Sequence, residues 1–302
     1  MKKRVILIGG GVIMRHYADG LHSSPTIEAV ALCDLNADCL ARQHFSDLPF
    51  FKDYRMAIER LCPDGAIVAT PVSSHADIAK DCLCRGLDVY VEKPLCDNAE
   101  TLREMYAVAK ERGRTLTALF HWQHADEVSF LKRYLMGRKT EKIKVKIGDD
   151  YACDPVGTIR KDRIGLLGAW LDSGINALSY VQEILPLQNA KFVGKEEKTD
   201  PTSGLPYYVR RTFDVGGAEV EIEVDWTDLS RDKVSVIESE GERIFVNHTA
   251  QRVECGGRVI YESVVADRLA SHYQNMFLEP FQKPSEDAER ESKLLHEILL
   301  QR

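Results

Sequence analysis

Along the first 120 positions, apolar residues fall in short unbroken runs separated by stretches with helical spacing. Arg4 to Ile8 is the first run and ends at Gly9-Gly10-Gly11, after which Val12 to His22 reads as a helix. Ile27 to Cys33 is the second run, closed by Asp34, and Asn36 is placed to cap a helix through about Phe45. Gly65 to Ala69, Asp88 to Val91 and Thr115 to Phe120 are further strands. Helices over Ser74 to Arg85 and from the cap Asn98 to Arg112 separate them, each stopped by a glycine, Gly86 or Gly113. Strands that are apolar throughout and alternate with helices predict a parallel sheet covered on both faces.

The pattern then changes. Lys142 to Ile147, Tyr207 to Val215, Ala218 to Trp226, Lys233 to Ser239 and Arg243 to Asn247 alternate apolar and polar residues, with Gly216-Gly217 as a hairpin turn. A helix is expected from about Trp170 to Leu185, and two more near Val265 to Phe277 and Ser285 to Leu300. A chain of 302 residues is a prior for two domains. The expectation is an α/β plus α+β chain: a doubly wound Rossmann sheet over residues 1–120, then a domain over residues 121–302 built on an open, mostly antiparallel sheet. The last helix, 285–300, is expected to pack back on the Rossmann domain.

Charge narrows the function. Lys plus Arg total 40 against 47 Asp plus Glu, a net charge of -7. That balance speaks against a nucleic-acid surface and a polybasic membrane patch. No run approaches the roughly 20 apolar residues needed to span a bilayer. The opening MKKRVILIGGGV is too short in its apolar part for a signal peptide and reads as a strand. Eight cysteines without a CxxC fit free thiols in a reducing cytoplasm.

Gly9-x-Gly11 stands where the first strand meets the first helix. The first glycine permits the tight turn. The second lets backbone approach a pyrophosphate at the helix N-terminus, opened by Val12 and Ile13. The third glycine position of such loops is Met14 here. Asp34 ends the second strand, where a carboxylate accepts hydrogen bonds from a ribose diol. It repels a 2′-phosphate, and Leu35 offers no compensating cation, so NAD is expected over NADP. Glu92-Lys93-Pro94 ends the fourth strand at the sheet's ligand-binding edge, where a lysine on a restricted backbone can take or share a hydroxyl proton. Thr70-Pro71 follows the third strand, near the expected nicotinamide, and His75 opens the next helix.

In this order and spacing, Gly9-x-Gly11, Asp34, Thr70-Pro71-x-x-x-His75 and Glu92-Lys93-Pro94 resemble the Gfo/Idh/MocA oxidoreductases. The resemblance implies a nucleotide site using Gly9, Gly11, Val12, Ile13, Asp34, Thr70, Pro71, His75, Glu92 and Lys93, with Lys93 catalytic. No metal is expected, because the H-x-x-H of His121 and His124 is followed by no third ligand at good spacing. The family's second signature, D-x-G-x-H, reads Asp172-Ser173-Gly174-Ile175-Asn176. Asp172 and Asn176 share a helical face, but an amide is no general base at neutral pH. The run Gly174 to Ser179 is similar to the branch that oxidises aldoses such as arabinose and galactose at C1, where a more acidic hydroxyl needs a weaker base. The resemblance then gives Lys93 the proton, gives Asp172 and Asn176 the sugar, and makes a lactone. His121 and Trp122 become substrate contacts. The H-x-x-H of His121 and His124, the pair Asp149-Asp150 and the cationic run Ile159 to Arg163 are weaker features. The resemblance further implies a homodimer or homotetramer through the C-terminal sheet, with Val220, Ile222 and Val224 read as outward apolar positions. Inositol, dihydrodiol or other sugar oxidoreductases of the same family are the rival enzymes. A non-catalytic nucleotide-binding regulator is the rival of another class.

Overall fold

The computed structural model describes residues 2–265, 267–278 and 285–301. Two compact units divide the chain: residues 1–121 with 269–296, and residues 122–268 with 297–302.

In the first unit, strands β1 (Lys3–Ile8), β2 (Ile27–Cys33), β3 (Phe50–Phe51), β4 (Gly65–Val68), β5 (Asp88–Glu92) and β6 (Leu116–Leu119) form a parallel sheet in the order β3-β2-β1-β4-β5-β6. The last four residues of β1 and all of β4 are buried, as strands covered on both faces must be. The strand order reverses between β1 and β4, which is where open α/β sheets bind ligands. Helix α1 (Val12–Ser23) follows β1. Its Met14, Tyr17 and Leu21 are buried in one cluster with Val5, Leu7 and Ile67 of the sheet and with Tyr273, Met276 and Phe277 of α7 (Arg268–Leu278). Met14, the departure from the glycine pattern, is therefore a core residue.

Helices α2 (Tyr54–Leu61), α3 (Val72–Cys84) and α4 (Ala99–Arg112) complete this part. The cap of α4 is as the sequence predicts. Asn98 accepts the Thr101 N–H at 2.9 Å, and Gly113 ends the helix with φ +61°. The Asn36 helix does not form. The Asn36 N–H donates to Asp34 Oδ1 at 2.8 Å and the Asp38 N–H to Asn36 Oδ1 at 3.0 Å, so side chains close turns in place of a helical ladder. Only Arg42–Phe45 winds into a short 3₁₀ turn. The late helix predicted from Val265 begins at Arg268, and Ala266 lies outside the described residues.

Helix α8 (Ser285–Leu299) gives the first unit two buried polar anchors. Ser292 Oγ accepts the Ala118 N–H at 2.9 Å. His296 Nε2 accepts the Leu95 N–H at 2.9 Å, which obliges Nδ1 to carry the proton it donates to the Ser292 carbonyl at 2.7 Å. Burial pushes the His296 pKa down to about 4.

The second unit contains α5 (Asp126–Tyr134), β7 (Thr140–Gly148), α6 (Ile175–Ile184), β8 (Ala190–Thr199), β9 (Pro206–Val215), β10 (Ala218–Asp225), β11 (Lys233–Ser239), β12 (Glu242–Asn247), β13 (Arg252–Cys255) and β14 (Arg258–Glu262). Its sheet runs β14-β13-β12-β11-β7-β10-β9-β8 and is antiparallel except at β7–β10. Val220, Ile222 and Val224 are fully buried, so they belong to the core face and not to the outward one. The alternate positions are charged. Lys142 pairs with Glu219 at 2.6 Å, Lys144 with Glu221 at 3.2 Å, and Lys146 with Asp228 at 2.9 Å. The period of two sends the valines and isoleucine inward, so they offer no apolar surface to a second copy.

Candidate nucleotide and substrate site

A cleft of about 540 Å³ opens at the C-terminal ends of β1, β2 and β4. Seven residues picked out in the sequence line it: Gly9, Gly11, Val12, Ile13, Asp34, Thr70 and Pro71. The structure adds others, including Lys52, Tyr54, Ser74 and Ile78. Ser74 and Ile78 are one helical turn apart on α3, which brings both to the cleft. Lys52 follows β3, a two-residue strand too short to show any periodicity in sequence.

Gly9 has φ +96°, and a Cβ there would lie 2.5 Å from the Ala69 carbonyl oxygen, so the chain itself demands glycine. Gly11 is different. Its φ is -76°, and an added Cβ would meet no protein atom within 4 Å. Nothing in the chain requires glycine at that position, whereas a ligand seated on the loop does. Gly11 stands at the N-cap of α1, and the first turn carries no acidic residue, so the free N–H groups of that turn can serve an anion. Asp34 is held from two sides. Its Oδ2 accepts the Gly10 N–H at 2.6 Å and its Oδ1 accepts the Asn36 N–H at 2.8 Å. These residues fit a dinucleotide: amides for the pyrophosphate, a fixed carboxylate for the ribose.

His75, Glu92 and Lys93 lie outside this lining. His75 is 1% exposed and spans two loops, with Nε2 2.7 Å from the Thr70 carbonyl oxygen and Nδ1 2.9 Å from that of Pro94. Burial holds its pKa below the ordinary histidine value, against the pull of the two carbonyls. The ring lies between the Thr70-Pro71 loop and the Lys93-Pro94 loop, and as neutral imidazole it donates to one of the two carbonyls. Glu92 is buried and accepts the Tyr17 hydroxyl at 2.7 Å. Burial first, then the Glu92 charge, pushes the Tyr17 phenol well above its usual range, so Tyr17 stays a donor. Lys93, half-buried at the end of β5, follows this anchored glutamate. His121 is also buried, its Nδ1 3.3 Å from His272 Nδ1 and its ring 5.0 Å from that of Tyr273. His272 and Tyr273 come from α7, and no local signal in the sequence announces them.

In the second unit, Asp172 sits in a π-helical turn, Trp170–Gly174, that leads into α6. Such turns are rare and concentrate at functional sites. A Cβ at Gly174 would lie 2.5 Å from the Trp170 ring, so this glycine lets the indole lie against the turn. Asn176 Nδ2 donates to the Asp172 carbonyl oxygen at 3.3 Å. Its Oδ1 has no hydrogen-bond partner among the described residues. Asp149 joins the same turn, accepting Ser173 Oγ at 2.9 Å and pairing with Lys233 at 2.9 Å. Asp150 pairs with Arg231 and, at 3.9 Å, with Arg160. Trp122, expected as a substrate contact, is a core residue. It is 2% exposed, with its ring stacked 5.7 Å from Tyr180 and edge-on at 4.9 Å to His248. Beside it runs a buried chain that sequence reasoning missed: Glu127 Oε1 lies 2.9 Å from His248 Nδ1, and Ser235 Oγ 2.6 Å from His248 Nε2.

The strand order, the glycine turn and the aspartate of the first unit define a dinucleotide-binding Rossmann domain. Residues 3–120 match the model of the Gfo/Idh/MocA family, described as an oxidoreductase family with an NAD-binding Rossmann fold. The chain is 28% identical over 132 residues to the inositol 2-dehydrogenase of Rubrobacter xylanophilus, covering 42% of this chain and 35% of that one. It is 28% identical over 120 residues to the rhizopine catabolism protein MocA of Rhizobium meliloti, covering 40% and 38%. These matches therefore span less than half of either relative. The fold extends further. A levoglucosan dehydrogenase in complex with NADH and levoglucosan superimposes with a TM-score of 0.81 at 16% identity, over 99% of this chain and 96% of that one. A 3-ketoreductase from Actinomadura kijaniata with NADP and TDP-benzene gives 0.76 at 19% identity, over 98% and 96%.

Proposed function

We propose that the protein is an NAD-dependent oxidoreductase acting on a hydroxyl of a sugar or polyol, and that its substrate is an aldose oxidised at C1 to the lactone. The observation that carries the reading is the cleft in which Gly11 leaves room for a ligand beside the clamped Asp34, within a domain that matches the model of the Gfo/Idh/MocA family. Relatives named for inositol and levoglucosan support a polyhydroxylated substrate. Bound NAD supplies the hydride acceptor. Lys93 is the residue assigned to the hydroxyl proton. Asp172 and Asn176 are assigned to substrate hydroxyls, and the unpartnered Asn176 Oδ1 supports an acceptor role. All eight cysteines are free thiols, which supports a reducing compartment.

The test is NADH formation with a panel of aldoses, anhydrosugars and cyclitols. Turnover of aldoses to lactones is the expected result. Turnover of cyclitols alone overturns the C1 assignment and keeps the oxidoreductase. Lys93→Ala is expected to lower kcat by about 10²–10⁴-fold, the range for a positioned proton acceptor. An unchanged rate removes Lys93 from the chemistry.

A further inference from the structure

The cationic run Ile159 to Arg163 leaves a small hairpin in the second unit. Across that hairpin the Arg160 N–H donates to the Tyr151 carbonyl at 3.0 Å and the Cys153 N–H to that of Thr158 at 2.7 Å, with Ala152 bridged to Ile159. At the tip, Asp154 Oδ1 accepts the Val156 and Thr158 N–H groups at 3.0 and 3.1 Å. The Arg163 N–H then donates to the Arg160 carbonyl at 2.8 Å and closes a turn. Backbone hydrogen bonds thus fix where both arginine side chains begin. Their guanidinium groups share one aromatic ring, with Arg163 4.6 Å and Arg160 5.9 Å from the centre of Tyr151. Tyr151 is braced in turn, edge-on at 5.3 Å to Trp226. A guanidinium resting on an aromatic face keeps its planar fork of N–H donors for an oxyanion.

What the two arginines lack is an acceptor. Asp150 is engaged by Arg231 and stands 3.9 Å from Arg160 Nη1. Asp162 stands 3.9 Å from Arg160 Nε, and neither distance is a hydrogen bond. Arg163 Nε lies 3.2 Å from Asp162, its exposed neighbour, without hydrogen-bond geometry. The Nε atoms of both arginines are shut off from solvent and have no hydrogen-bond partner among the described residues. Other arginines of the unit are met: Arg138 by Glu242 at 2.6 Å and Glu240 at 3.3 Å, and Arg211 by the Gln301 carbonyl at 2.7 Å. Arg160, Lys161, Arg163 and Arg231 outnumber Asp150 and Asp162, although the chain as a whole carries a net charge of -7. This corner adjoins the Asp172 turn. Asp149, which accepts Ser173 Oγ, is followed directly by Asp150, which pairs with Arg231 and Arg160. From Arg163 the chain runs on to Gly168, whose carbonyl accepts the Asp172 N–H at 3.2 Å.

We propose that Arg160 and Arg163 form an anion subsite, and that the sugar held by Asp172 and Asn176 carries a carboxylate or phosphate at the end away from C1. The inference rests on the assignment of Asp172 and Asn176 to substrate hydroxyls and adds to it the charge of the substrate and the residues that read it. An oxyanion supplies the charge-assisted acceptor that the neighbouring acids do not.

Initial rates of the full chain with NAD⁺ on matched sugars test it: galactose against galacturonate, glucose against glucuronate, and glucose against glucose 6-phosphate, for the natural protein, Arg160→Met and Arg160→Lys. The natural protein is expected to turn over an acidic sugar with a kcat/KM at least about tenfold above that of its neutral match. Arg160→Met should lower this value by about ten- to hundredfold, chiefly through KM, and by at least about tenfold more than it lowers the value for the neutral sugar. Arg160→Lys keeps the charge and loses the planar fork, so it should fall between the two. Faster turnover of the uronates than of the 6-phosphate assigns the anion as carboxylate, and the reverse order as phosphate. The preference for the acidic sugar should shrink as salt rises, because the arginines are partly exposed. Neutral sugars turned over at least as well as their acidic matches, or equal losses on both in Arg160→Met, overturn the inference and leave the oxidoreductase reading standing. Turnover of no sugar of either kind overturns the sugar reading itself and the inference with it.

Discussion

Gly9 and Gly11 stand two positions apart in one loop and answer to different partners. Gly9 answers to the chain: positive φ and the Ala69 carbonyl exclude any side chain. Its replacement by alanine should cost about 1–3 kcal/mol in chemical denaturation, the range for a non-glycine residue forced into such a conformation. Gly11 answers to a ligand. Gly11→Val should leave the denaturation midpoint nearly unchanged and weaken NAD⁺ binding by at least about tenfold, because the new side chain occupies the position the pyrophosphate approaches. His296 gives a pH signature. Its pKa is about 4 in the folded protein and near 6.5 when free. Above pH 6.5 both states are neutral and its contribution is complete. As pH falls from 6.5 to 4, the unfolded chain takes a proton that the native ring refuses, and about 3 kcal/mol of stability is lost. His296→Gln keeps an acceptor for the Leu95 N–H without titrating, so its stability should fall less steeply over that interval. At this scale the sequence was readable where residue types are scarce and positions diagnostic: Gly9, Asp34, Thr70-Pro71. It was silent on Lys52, Ser74 and Tyr54. An exposed lysine or a helical serine carries no mark of the cleft it reaches.

Among the elements, the π-helical turn at Trp170–Gly174 departs most from what spacing suggests. Asp172 and Asn176 were expected to share a face of a regular helix. They are joined instead through the Asp172 backbone, with Asp149 and Lys233 holding the turn from the sheet. Hydrophobic periodicity does not report an extra residue in one turn. Nor does it report the buried chain Glu127–His248–Ser235, whose members lie on α5, just after β12 and on β11. Burial lowers the His248 pKa, and as neutral imidazole its Nδ1–H donates to Glu127 while Nε2 accepts from Ser235. Removal of the ring takes away a buried carboxylate's partner. His248→Ala should therefore cost about 1.5–3 kcal/mol, the range for a hydrogen bond to a carboxylate, against about 1 kcal/mol for Ser235→Ala, where a neutral hydrogen bond goes. Equal losses in the two variants would rule out the charge argument. Strands β8, β13 and β14 escaped the sequence reading for a simpler reason. β8 and β14 are edge strands with exposed charged positions, and β13 is only four residues long, so their alternation is weak.

At the scale of the whole chain, the second unit's sheet separates cost by face. Ile222→Ala should lose about 2–5 kcal/mol, because it empties a fully buried site. Lys144→Ala, one strand over on the charged face, should lose no more than about 1 kcal/mol. Among the described residues no helix is long and apolar enough to cross a membrane. The fold class was legible as a change of texture near residue 120. The membership of the first unit was less so, since the cluster under α1 borrows Tyr273, Met276 and Phe277, and Leu95 is pinned by His296. That borrowing has a consequence for synthesis. At ordinary translation speeds of about 5–20 residues per second, roughly 10–30 seconds separate the emergence of β6 from that of His296. Through that interval the Rossmann sheet waits on the ribosome without the α7 part of the cluster under α1, while residues 122–268 of the second unit are made. The part of the molecule that is synthesised first is completed only when the chain has almost ended.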